Sequence, residues 1–98
     1  MKLIEYDPGL WQLYQQGDSL FLSVRCQSGF AEFETLLLLS PEEVREFKGL
    51  GRVFLEYLAA KVSYWPNEYR DRNVSKEWGA AVAEVVREWL SLHPGEHL

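Results

Sequence analysis

From Ser19 onward the chain alternates. In SLFLSVRCQ, Leu20, Leu22, Val24 and Cys26 share one parity while Phe21, Ser23, Arg25 and Gln27 share the other, the period of two that marks a half-buried strand. The preceding LWQLYQQ sets Trp11, Leu13 and Gln15 against Gln12 and Tyr14, with Gly17-Asp18 as a turn between the two runs. After a second turn at Ser28-Gly29, FAEFETLLLL places Ala31, Phe33, Thr35 and Leu37 opposite Glu32 and Glu34. These runs predict an antiparallel meander, to which Leu3, Ile4 and Tyr6 add a short fourth strand that Asp7-Pro8-Gly9 ends.

The period changes at Ser40. Ser40-Pro41-Glu42-Glu43 combines an N-cap serine, proline at the first helical position and a glutamate three residues after the cap, which predicts a helix from Pro41 to about Lys48. Gly49-Leu50-Gly51 interrupts it as a hinge. Leu55, Leu58, Ala59 and Val62 then recur at helical spacing from Arg52 to about Tyr64, where Pro66 disfavours helical geometry at Trp65. A last helix is expected after Ser75, read as its cap, with an apolar stripe of Trp78, Val82, Val85, Val86, Trp89 and Leu90 that Pro94-Gly95 ends.

Strands first and helices afterwards predict the α+β class: a three- or four-stranded antiparallel meander followed by about three helices packed on one sheet face, the other face being wet. Residues 1–98 are read as one domain, with strands over 1–39, helices over 40–92 and a frayed tail over 93–98.

Charge narrows the partner class. The formal charge is −5, and residues 1–49 hold eight carboxylates against four Lys or Arg. That balance opposes binding to a nucleic-acid backbone, where cationic side chains supply most of the affinity, and suits a basic protein partner. Cys26 is the only cysteine, so no intramolecular disulfide is available, and its place on an apolar strand face predicts an inert buried thiol. Leu36–Leu39 is the longest apolar run and is far short of a membrane span. Glu5 and Asp7 interrupt any apolar leader, and the cytoplasm is the expected location.

Catalytic and cofactor signals are weak. His93, Glu96 and His97 have a metal-like spacing, but Pro94 and Gly95 prevent the helix that would align them. Gly49 and Gly51 lack the surroundings of a phosphate loop. Glu32 and Glu34 could form a carboxylate pair, yet a solvated sheet face explains them as well. No metal or cofactor is therefore expected.

Tyr64–Asn73, YWPNEYRDRN, differs in kind: it carries three aromatic rings, two arginines and two carboxylates without one aliphatic side chain. Read as a loop, it presents the residue types enriched at the energetic centres of protein interfaces. The candidate partner-binding residues are Tyr64, Trp65, Glu68, Tyr69, Arg70, Asp71 and Arg72, with Glu32 and Glu34 as an acidic supplement. The alternative is that Trp65 and Tyr69 merely close the end of a helix.

Two passages, QGDSLFLSVRCQSGFAEFE and LEYLAAKVSYWPNEYRDRN, together resemble small bacterial immunity proteins of polymorphic toxin systems. The resemblance covers about residues 12–73 and implies a non-enzymatic cytosolic inhibitor that binds and neutralises a cognate toxin domain. It transfers no site residues. The competing classes are a ligand-binding domain or small enzyme with a pocket between sheet and helices, and a structural or oligomerising subunit such as a homodimer. Convergent polar groups in a pocket would favour the first, and a large self-complementary apolar patch the second.

Overall fold

A computed structural model describes residues 1–98 as four strands, β1 (Lys2–Asp7), β2 (Trp11–Gln16), β3 (Ser19–Ser28) and β4 (Ala31–Leu38), then α1 (Pro41–Leu50), α2 (Arg52–Tyr64), a 3-10 segment (Pro66–Arg72) and α3 (Ser75–Leu92). The strands lie in the order β1-β2-β3-β4, each antiparallel to its neighbour. Gly17 and Gly29 open the two-residue hairpin loops at φ +59° and +62°, a conformation that matches the right-handed twist of paired strands and that other residues rarely adopt. The fold is the expected α+β arrangement, with the full fourth strand. β1 carries an irregularity between Leu3 and Glu5.

The first helical face is dry. Leu13, Leu22, Val24, Cys26 and Leu37 from the sheet pack against Phe54, Leu55, Leu58, Ala59 and Val62 of α2, with Val44 and Phe47 of α1 at the margin. Gly51 is the hinge between α1 and α2, at φ +70°. Ser40 completes the anticipated capping box: the Glu43 amide donates to its Oγ at 3.2 Å and its own amide donates to Glu43 Oε1 at 2.8 Å.

Helices on one sheet face was the expectation, and this is corrected: α3 covers the other face. Tyr14, Phe21 and Leu36 form a small buried cluster there, against Val74, Trp78, Val82, Val85 and Val86. The crossing happens beside edge strand β4, where Asn73 bridges to Leu37, the Val74 amide donates to the Leu36 carbonyl at 2.8 Å, and the Leu36 amide donates to Asn73 Oδ1 at 3.2 Å. These bonds occupy part of the row of backbone groups that an edge strand leaves open. They also carry the chain from one layer to the other.

Val74, not Ser75, occupies the N-cap position of α3 and supplies no side-chain cap, while Asn73 just before it bonds to Ser75. The Asn73 Oδ1 accepts from the Ser75 amide at 3.0 Å and from the Ser75 hydroxyl at 2.6 Å, while Ser75 is the first residue of α3. No helix is long and apolar enough to cross a membrane.

Candidate functional site

The sequence predicts a loop over residues 64–73; instead Tyr64 ends α2 and Pro66–Arg72 form the 3-10 segment, opened by Pro66, whose missing N–H suits a helix start. That geometry divides the candidates. Tyr69 is only 8% exposed and belongs to the core cluster of the α2 face, so its proposed role at an interface is corrected to a packing role. Tyr64 and Trp65 are 78% and 56% exposed, with ring centroids 6.0 Å apart. Glu68, Arg70 and Asp71 are exposed, and Arg70 donates to Asn67 Oδ1 at 2.7 Å.

Arg72 is already occupied. Its guanidinium makes two bonds to Glu43, Nη1 to Oε2 at 3.0 Å and Nη2 to Oε1 at 2.5 Å, and Nη2 also donates to the Leu38 carbonyl at 3.2 Å. One side chain thus ties the 3-10 segment to the end of β4 and the start of α1. Burial pushes the Glu43 carboxyl up, but the bonds from Arg72 and from the Ser40 backbone and hydroxyl, with the arginine charge, outweigh burial and hold it below the usual carboxylate value. Arg72 is a fold element, not a free partner-binding residue.

Glu32 and Glu34 are exposed and sit opposite Gln27 and Arg25 in register, on the face that α3 covers. They are therefore on the opposite face of the sheet from α2, and the two groups of candidates do not form one surface.

The exposed rings instead join residues that sequence reading passed over. Along α2, Val53, Tyr57, Ala60 and Tyr64 follow the spacing i, i+4, i+7, i+11 and point away from the sheet, opposite the inward Leu55, Leu58, Ala59 and Val62. Exposed Leu10, from the β1–β2 connection, shares a groove of about 450 Å³ with Ala60, Tyr64, Asp7 and Glu56. The result is an apolar ridge about 16 Å long at the helical rise, ending in Trp65, flanked by Asp7 and Glu56, which both pair with Arg52, and with the Lys61 ammonium 5.4 Å from the Tyr57 ring centroid. The signal was present in the sequence as a second apolar stripe on a helix that already had one. A helix apolar on two sides either sits in a deep core or meets a partner.

The single thiol is where the alternation placed it. Cys26 is buried among the Val24 and Val62 carbonyls and the Thr35 hydroxyl. The two histidines serve different parts of the molecule. His93 stacks on Trp89 with ring centroids 4.2 Å apart, whereas His97 and Leu98, from the tail expected to fray, line the cleft between the sheet and α3. No known protein family, curated protein or solved structure matches the chain significantly, so the functional reading rests on these residues alone.

Proposed function

We propose that the protein is a non-enzymatic binding domain, an immunity-type inhibitor that docks the outer ridge of α2 onto a basic toxin domain and blocks it. The observation that carries this reading is the contiguous exposure of Val53, Tyr57, Tyr64 and Trp65. Rings of this kind contribute large apolar area with few rotors, and they dominate binding energies when a partner excludes water around them. The net charge of −5 supplies a field that draws in a cationic partner, although Glu56 and Asp7 beside the ridge are already paired with Arg52, at 3.0 and 4.0 Å.

The test is affinity capture from the source organism followed by titration of the captured protein. Tyr64→Ala and Trp65→Ala are each expected to weaken the complex by about thirtyfold, or about 2 kcal/mol, at an unchanged melting midpoint. Tyr69→Ala, in the core, should lower the melting midpoint instead. Salt should slow association with a basic partner. Full binding by Tyr64→Ala and Trp65→Ala together would refute the ridge, and failure to capture any protein partner would refute the inhibitor.

A further inference from the structure

On the opposite face of the sheet, α3 does not close down fully. The start of the helix is tied to β4 through Val74, and Trp78 rests on Phe21 with ring centroids 4.9 Å apart. The next residue, Gly79, and Ala83 one turn beyond it line the space between α3 and the sheet with almost no side chain, and nothing lies within 4 Å of where a Cβ on Gly79 would stand. The gap is a cleft of about 450 Å³, within the range of about 300 to 1,000 Å³ usual for small-molecule sites.

Its floor is polar. Gln12 and Ser23, opposite each other on β2 and β3, are 7% and 3% exposed and both line the cleft. The Tyr14 hydroxyl donates to Gln12 Oε1 at 3.4 Å, which engages the amide oxygen and leaves the Gln12 Nε2 hydrogens and the Ser23 hydroxyl without a protein partner. Both groups open onto the cleft rather than being sealed beneath it, and two neighbouring donors free of protein partners offer hydrogen bonds to an acceptor oxygen that enters. The walls are Leu36, Val82, Val86 and Leu90. Arg25 and Glu34, a cross-strand pair of opposite charge, also line the cleft together with His97, and the formal charges of Arg25 and Glu34 cancel.

We infer that this cleft binds a small neutral carbonyl compound, an amide, ester, lactone or ketone with an apolar chain, whose oxygen accepts from Gln12 Nε2 and Ser23 Oγ while the chain lies along the valines of α3. A neutral ligand suits the floor because a carboxylate or ammonium would lose its hydration there without a matching charge. The site shares no role with the α2 ridge and stands or falls separately from it.

The experiment is a titration of the full-length, isotope-labelled chain with octanamide, octanoate and octylammonium, followed by NMR shifts of backbone and side-chain amides. Octanamide should produce saturable shifts at the Gln12 side-chain amide, Ser23, Val82 and Ala83, and bind more tightly than either ion. Ser23→Ala should weaken it by about tenfold, and Ala83→Leu, which fills the cleft from the helix side, should abolish it at an unchanged melting midpoint. The assignment is overturned if octanamide gives no saturable shift at these residues. It is equally overturned if either ion binds as tightly, or if both variants bind octanamide as the parent does.

Discussion

The two faces of one sheet are finished in different ways. Toward α2, the strands present Leu13, Leu22, Val24, Cys26 and Leu37, and the helix answers with five buried side chains. Toward α3, the same strands present Gln12, Ser23 and Arg25 beside Tyr14 and Phe21, and the helix has no fully buried residue at all. Both helices are apolar enough to dock. What differs is whether the two surfaces interdigitate: branched side chains fill the first interface, whereas glycine, alanine and strand polar groups leave the second open. The α2 layer therefore carries most of the stability, and the α3 layer has room for a ligand.

Breaking the dry face should have the largest effect. Leu22 is fully buried between β2, β4 and α2, so Leu22→Ala removes its transfer energy and leaves a cavity that close-packed neighbours fill only partly. It is expected to lose about 3 to 5 kcal/mol in denaturant melts. The corresponding truncation on the other face, Val82→Ala, should lose less than about 1 kcal/mol, because Val82 already borders open space. Equal losses would erase the distinction between the faces.

How much of this was legible follows the same division. Alternation in β2, β3 and β4 placed Leu13, Leu22, Val24 and Cys26 correctly, because side-chain parity along a strand is a local property. The capping box at Ser40 was likewise local. The side on which α3 packs was not, since it depends on Asn73 and Val74 bonding to the edge of β4, a contact between residues far apart in the chain. One clue was readable: Tyr14, Phe21 and Leu36 are large apolar residues at outward positions of three successive strands, and a wet face has no use for such a band. Among the candidate residues of the 64–73 segment, Tyr64, Trp65, Glu68, Arg70 and Asp71 lie exposed on the surface. Tyr69 and Arg72 do not, because composition cannot say whether a ring or guanidinium in a charged segment turns outward or back to Leu38 and Glu43.

A smaller effect sharpens the comparison where the layers join. Arg72→Met removes the paired bonds to a Glu43 side chain that is 17% exposed, while the Arg72 side chain itself is 38% exposed and partly screened by water. A loss of about 1 kcal/mol at pH 7 is expected, near the low end for charge-assisted bonds. Because the Glu43 carboxyl is lowered in the fold, its stabilisation is complete above its unfolded value of about 4.3 and is lost as pH falls through the lower folded value. The difference between parent and variant should accordingly shrink in melts performed below about pH 4. A constant difference down to pH 2 would show that Arg72 acts through packing on Tyr69 rather than through Glu43.

The smallest effect has the opposite sign. Gly79 lies within α3, its φ is not in the left-handed region, and an added methyl group would meet no atom within 4 Å. Glycine at such a place weakens a helix by about 1 kcal/mol relative to alanine, through the freedom it leaves the unfolded chain. Gly79→Ala should thus stabilise the protein by about 0.5 to 1 kcal/mol, read as a raised denaturation midpoint at unchanged slope. A single methyl group in a cleft of about 450 Å³ leaves most of the space free, so octanamide binding should survive in this variant while Ala83→Leu loses it. A loss of stability on Gly79→Ala would mean that α3 sits closer to the strands in solution than this geometry allows, and the contrast between a filled and an open face would fail with it.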